Sequence, residues 1–220
     1  MTAPDLSTYR AIHLALRGGA DAMADVAATA QPGNRPKIDA LRRYWAGYSA
    51  ELHKHHTTED DIFFPALVER VPVAAALIER TDVEHHELDA VTARCHAAVS
   101  ALVAGVRTPD LGPAFAELAA IMHRHLDFED DDLIPLFERH FTAEDHEALE
   151  KRAMEALGIR AAAFTVPFVM HFADPTARER LLAGAPLAFR VLYRLTRRGH
   201  ARLAATLGAG VRPAVAGSVA

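Results

Sequence analysis

His53-Lys54-His55-His56-Thr57-Thr58-Glu59-Asp60-Asp61-Ile62-Phe63-Phe64-Pro65 returns 70 positions later as His123-Arg124-His125-Leu126-Asp127-Phe128-Glu129-Asp130-Asp131-Asp132-Leu133-Ile134-Pro135. Both copies read His-x-His-x-x-x-Glu-Asp-Asp and then run through an apolar pair to proline. Helical residues four apart share a face, with Cβ atoms about 5–6 Å apart. His55 with Glu59, and His125 with Glu129, therefore form two clamps, each of one nitrogen and one oxygen donor. Two such clamps on facing helices, completed by one histidine from each remaining helix, would hold a pair of metal ions.

Helical periodicity dominates the chain and no alternating strand pattern stands out. A first helix is expected over Leu6 to Ala28, with His13 in its apolar stripe, before the breaker Gln31-Pro32-Gly33-Asn34-Arg35-Pro36. A second runs from about Lys37 into the first clamp, where Pro65 is expected to kink or end it. A third begins near Pro72 and carries His85, His86 and His96 to about Ala104. After a turn over Gly105 to Gly112, Pro113 suits the first position of a fourth helix, which carries the second clamp and ends near His140. Four long helices with short connections predict an all-α fold, an antiparallel up-down four-helix bundle over residues 1–140. The repeat then becomes fuller, because His13 and His85 precede the two clamps by similar distances.

Residues 141–220 read as additional C-terminal helices packing on the bundle. Thr142-Ala143-Glu144-Asp145 looks like a capped helix start, and Gly158 a stop. The segment Phe189-Arg190-Val191-Leu192-Tyr193-Arg194-Leu195-Thr196-Arg197-Arg198 is apolar on one face and arginine-rich on another, and a loose tail is expected from about residue 208. Charge divides along the same line. Residues 151–220 hold 11 basic against 3 acidic residues; the first 150 hold 13 against 26, together with 11 of the 13 histidines. Acidic residues mixed with histidine suit a cation and argue against nucleic acid as a partner. The single cysteine, Cys95, excludes an intramolecular disulfide framework and a cysteine-ligated cluster. Lacking a basic start followed by an apolar run, or an apolar stretch long enough to span a bilayer, the chain is expected to be cytoplasmic.

About four histidines and two carboxylates shared over two metals fit iron best, because imidazole suits iron and carboxylates bridge ions through redox change. Zinc sites use fewer ligands. Ferritin-like di-iron bundles carry Glu-x-x-His; this chain has none, and its His-x-x-x-Glu order separates the two architectures.

The lone histidine on the first helix, the two His-x-x-x-Glu clamps, and Glu84-His85-His86-Glu87-Leu88 on the third resemble the hemerythrin family, in particular its tandem His-His-Glu cation-binding subgroup. The resemblance covers roughly residues 6–140. It implies that His13, His55, Glu59, His85, His125 and Glu129 ligate two iron ions in a non-haem di-iron centre, with both glutamates bridging. It prefers His85 to His86 through the Glu-His-x-x-Leu register. Oxygen-carrying hemerythrins add a histidine four residues after that third-helix ligand, where this chain has Asp89. The departure favours sensing or scavenging oxygen, nitric oxide or peroxide, or handling iron, over simple oxygen carriage, and leaves Asp89 as a further candidate at the site.

Competing readings stay open beside this one. His56 with Asp60, or His123 with Asp127, has the clamp spacing without recurring symmetrically. His53 and His123 point away from the clamp face and are expected to pair with Asp60 and with Asp127 or Asp130. Glu51 and Tyr48, on the face of His55, are read as packing or as ligand-orienting. Phe63, Phe64, Phe128, Leu133 and Ile134 are expected to wall the metal pair. The functional alternative is a non-redox cation or structural metal module whose basic C-terminal helices bind a protein partner or a membrane surface.

Overall fold

The computed structural model describes residues 2–155 and 159–208, and within them every regular element is helical. α1 (Ser7–Thr29) leads to α2 (Arg35–Thr58), which starts two residues before the expected Lys37. Asn34 caps α2 by accepting from the Lys37 N–H at 3.2 Å, and Pro36 sits in the first turn, whose amides have no intrahelical acceptor. α3 (Phe64–Arg70) follows, then a single 3₁₀ turn at Pro72–Ala74 and α4 (Ala75–Val103). α5 (Leu111–Phe128) begins two residues before Pro113, which the free first turn accommodates as readily as the first position. α6 (Ile134–His140), α7 (Ala143–Glu155), α8 (Ile159–Phe172), α9 (Pro175–Gly184) and α10 (Leu187–Leu207) complete the order. The expected stop at Gly158 and the tail after 208 lie outside the described residues. No helix is long and apolar enough to cross a membrane among the described residues.

Pro65 neither ends nor sharply breaks the second helix. The chain widens into a π turn over Glu59–Phe63 and continues as α3, with Pro65 at its second residue. The same device recurs at Glu129–Leu133, before Pro135 in α6. A proline has no N–H to donate and its ring crowds the carbonyl four residues back. A π turn immediately upstream re-spaces the carbonyls: the Phe64 and Ile134 amides bond back to Glu59 and Glu129. π turns concentrate at functional sites, and here each opens on a clamp glutamate.

α1 touches α2 and α5, and α4 touches the same two. Their apolar faces make two separate clusters. The larger takes Leu16, Met23, Leu41, Trp45, Tyr48, Leu88, Phe115 and Met122; the smaller takes Leu6, Phe63, Phe64, Leu67, Ala74, Phe128, Ile134 and Phe137. His13, His55, Glu59, His85, His125 and Glu129 lie where the two clusters approach one another and form a polar layer there. Cys95 is wholly buried in the larger cluster, and burial pushes its thiol up to about 12, as fits a packing residue. Tyr48 is likewise a packing residue, its hydroxyl donating to the Leu16 carbonyl at 3.0 Å.

α7 opens on a reciprocal cap. The Asp145 amide donates to Thr142 Oγ1 at 3.2 Å, and the Thr142 amide donates to Asp145 Oδ2 at 2.9 Å. α8 lies against α1 and α2, and α10 against α2 and α8. Three glycines that weaken helix propensity by about 1 kcal/mol each make this approach feasible. A Cβ on Gly47 would collide with the Phe164 ring and one on Gly18 with the Phe172 ring; on Gly19 it would stand 2.9 Å from Phe168 and Tyr48. Phe168 enters the larger core through that gap, a burial contributing about 1.5–3 kcal/mol.

His200 of α10 is buried against Tyr44 and Phe164, with His171 at 5.3 Å between ring centroids. Burial holds its imidazole down to about 4, so it is neutral in the fold. The unfolded chain protonates this group below about 6.5, and stability is therefore lost as pH falls from there toward 4. In urea titrations, His200→Phe should gain on the wild-type chain by on the order of 1–2 kcal/mol between pH 7.5 and pH 5. A stability gap that ignores pH would show that His200 does not resist protonation.

Candidate metal centre

All six residues of the two clamps and their partner histidines converge in the polar layer, each nearly or fully buried. His55 Nε2 is 3.0 Å from Glu59 Oε1, and His125 Nε2 is 3.4 Å from Glu129 Oε1. The lone histidines cross over to the other clamp's neighbourhood: His13 Nε2 is 3.4 Å from Glu129 Oε2 and His85 Nε2 is 3.8 Å from Glu59 Oε2. Two donor sets result, each with its ligand atoms within 4.8 Å of one another. One is His13, His55, Glu59 and Glu129; the other is Glu59, His85, His125 and Glu129. The two glutamates belong to both.

What these atoms lack is as informative as what they touch. Nε2 of His13, His55, His85 and His125, Oε2 of Glu59 and both oxygens of Glu129 are buried without a hydrogen-bond partner. Buried polar groups are almost always paired, and each one left alone costs about 1–3 kcal/mol. Neither glutamate forms an ion pair with lysine or arginine among the described residues. Burial, with the Asp60 charge beside Glu59 and the Glu59 charge beside Glu129, pushes both carboxyls well above their usual range. Burial likewise drives His55 well below the ordinary histidine value, lowers His13, and takes His125 to about 4. The pocket thus sets His13, His55 and His125 as neutral imidazoles against two carboxyls whose ionisation burial opposes unless a positive charge balances it. A cation that accepts nitrogen and oxygen donors would give every one of these buried atoms a partner.

Two of the rings, His13 and His125, are held from the rear as well. Asp130 accepts from His13 Nδ1 at 2.8 Å and is itself gripped by Arg17 at 2.7 Å. Burial would raise the Asp130 carboxyl, but these two donors lower it, so the pair is a neutral imidazole donating to a carboxylate. Glu84 accepts from His125 Nδ1 at 3.1 Å and is held by Arg80 at 3.1 Å. Asp60 Oδ1 stands 3.2 Å from His85 Nδ1, out of line for a hydrogen bond. A proton fixed on Nδ1 leaves the Nε2 lone pair free to face the pocket. Tyr9, one turn before His13, donates its hydroxyl to Glu59.

Several expectations change. Asp89 and His86 are exposed, and the His86 ring lies against the Asp82 carbonyl of its own helix, so neither joins the cluster. His123 pairs with Asp21 at 2.9 Å across to α1, and not with Asp127 or Asp130; those serve Arg17 and His13. Asp60 turns to His85 and not to His53. Glu51 is buried and accepts from Thr165 of α8, which ties it to packing. His56, which enters the sequence reading only through a rival pairing with Asp60, is buried among His85 and His125. The spacing that could have found Asp60 and Asp130 was present, since an aspartate follows the clamp glutamate in both copies. Glu84 and Tyr9 have no repeated counterpart to announce them.

The chain belongs to the hemerythrin family: the model of the hemerythrin HHE cation-binding domain matches residues 5–137. Among curated proteins, xanthocillin biosynthesis cluster protein F of Aspergillus fumigatus is 29% identical over 182 residues, covering 80% of this chain and 78% of that protein. No solved structure matches the chain. Family membership gives the buried His/Glu cluster a metal cation to hold.

If Asp130 and Glu84 set ring tautomers, Asp130→Asn and Glu84→Gln should each weaken metal binding about 10–100-fold with helicity unchanged. Calorimetric titration of metal-free protein with iron(II) under anaerobic conditions measures this. Affinities within twofold of the parent chain would mean that the aspartate and glutamate do not orient the rings.

Proposed function

We propose that this chain is a non-haem di-iron protein that binds or reacts with oxygen, nitric oxide or peroxide. In this reading His13, His55, Glu59, His85, His125 and Glu129 would hold two iron ions, with Glu59 and Glu129 common to both donor sets. The observation that carries it is the pair of donor sets sharing Glu59 and Glu129. Imidazole nitrogens suit iron, and carboxylates shared between two ions support its change of oxidation state. An antiparallel up-down arrangement of α1, α2, α4 and α5 belongs to the same reading. It is supported by the smaller apolar cluster, which gathers Leu6 before α1 and Ala74 before α4 with Phe64 and Phe128 beyond and at the ends of α2 and α5.

Iron, when bound, supplies reversible redox change next to a small ligand; the protein's own side chains do the rest. Neutral imidazoles present lone pairs, with Asp130 and Glu84 fixing the ring protons behind them. The Tyr9 hydroxyl holds Glu59 in one orientation. Phe63, Phe64, Phe128 and Ile134 form an apolar wall on one side of the polar layer, which keeps bulk water out and suits small, weakly hydrated ligands. A cytoplasmic setting accompanies this reading.

A second reading is a non-redox cation module whose basic C-terminal helix docks elsewhere. It is favoured by α10, where Leu187, Val191 and Leu195 are exposed beside Arg190, Arg194 and Arg198. Adding peroxide or oxygen to the reduced, iron-loaded protein separates the two: spectral change with consumption supports the first, and an inert metal supports the second.

The proposal also predicts a trade between binding and stability. Glu129→Gln should reduce iron content from about two per chain to one or none by elemental analysis. In the metal-free state the same variant should gain stability on the parent in urea titrations as pH rises from about 4.3, because the unfolded parent loses its proton there while burial holds the folded Glu129 carboxyl protonated. Full iron content in Glu129→Gln would remove Glu129 from the ligand set.

A further inference from the structure

His56 is buried in the cluster, yet the paired clamps leave it without a task. Successive helical residues are turned by about 100°, so His55 and His56 address different neighbours. His55 faces His13, with ring centroids 5.1 Å apart. His56 stacks on His85 at 4.0 Å with rings 17° apart, and meets the His125 ring edge-on at 5.4 Å. One nitrogen from each of His56, His85 and His125 lies within 4.8 Å of the other two. His56 is only 6% exposed, and its Nε2 is buried with no hydrogen-bond partner. Packing alone does not explain an imidazole kept there at that cost.

The internal repeat sharpens the point. Seventy positions after His56, in the register that sets His55 against His125 and Glu59 against Glu129, the chain has Leu126, which is fully buried. The two halves therefore differ at this inward-facing position. Beside His85 and His125 stands a nitrogen donor; the corresponding place in the other half is hydrocarbon. α4 supplies no further imidazole to the layer, since His86 is exposed.

We propose that His56 is a third imidazole ligand at the His85–His125 position, so that the two metal positions are unequal, one with two histidines and the other with three. This inference rests on the two-metal reading above. Unequal donor sets fill in sequence: the His56–His85–His125 position takes metal first, and the His13–His55 position takes it second.

Anaerobic titration of the metal-free full chain with iron(II), followed by Mössbauer spectra at one and two equivalents, tests this. The parent chain should show two binding steps and two distinct iron signals. In His56→Ala and in His56→Gln the tighter step should weaken about tenfold or more, and the two signals should move toward one another. Free imidazole should restore the tight step in His56→Gly, a rescue that a role in packing alone would not give. His86→Ala, changed at the exposed neighbour, should titrate like the parent. If the parent takes two irons and the His56 variants titrate identically to it, His56 is not a ligand, while the di-iron reading stands. If the parent takes no iron, the di-iron reading falls and this inference falls with it.

Discussion

Two carboxylates without a countercharge govern this molecule. Glu59 and Glu129 are fully buried in the middle of four helices, and the groups closest to them are neutral histidines and a tyrosine hydroxyl. Removing a carboxylate from water costs several kcal/mol even after the protein relaxes. A fold maximising its own stability would put leucine there, as it does at Leu126 and Leu133 on either side of Glu129. The polar layer exists because a cation belongs in it, and the two apolar clusters on either side supply the stability that the layer subtracts. The arginines confirm the design by where they stand. Arg17 and Arg80 approach the outer carboxylates Asp127, Asp130 and Glu84 and neither clamp glutamate, so positive charge steadies the acceptors behind the rings without entering the pocket and neutralising it.

The layer is assembled from two similar halves, and its departures from symmetry carry meaning. Clamp, π turn and proline recur at a fixed offset, as does the aspartate after each clamp glutamate, which stands behind the partner half's lone histidine. Symmetry fails at Tyr9, whose counterpart is Thr81, at Glu84, whose counterpart is Ile12, and at His56, whose counterpart is Leu126. Each of these changes a polar contact in the layer. A duplicated frame with a few unmatched side chains gives two places of the same geometry and different chemistry.

Much of this was legible in the residues alone, and the parts that were not share a cause. His55, Glu59, His125 and Glu129 announce themselves because helical spacing makes each pair local, and His13 because the repeat gives it a partner in His85. His56 stays hidden: spacing along one helix cannot tell that two adjacent faces of α2 both look inward, since that depends on helices flanking it on both sides. The aspartates beside the clamps read as partners for His53 and His123, until the neighbouring helices bring His85 and His13 against them instead. Pro65 reads as a kink or a helix end because proline rules describe an α-helix, and the chain answers with a π turn. Gly18, Gly19 and Gly47 look like weak points in two helices until α8 is seen pressing phenylalanines into them.

The π turns tie the protein to a strict count of residues as well as to a composition. An α-helix turns about 100° per residue, so one residue more or less between Glu59 and Phe64 would swing everything after it by more than a quarter of a revolution. Phe64 and Leu67, now in the smaller apolar cluster, would be carried toward solvent, and charged Glu69 and Arg70 toward the interior. The same holds between Glu129 and Ile134. Substitutions there can be absorbed one side chain at a time, whereas a single-codon insertion or deletion would misalign a whole helical segment, making these two short stretches the least elastic parts of the gene.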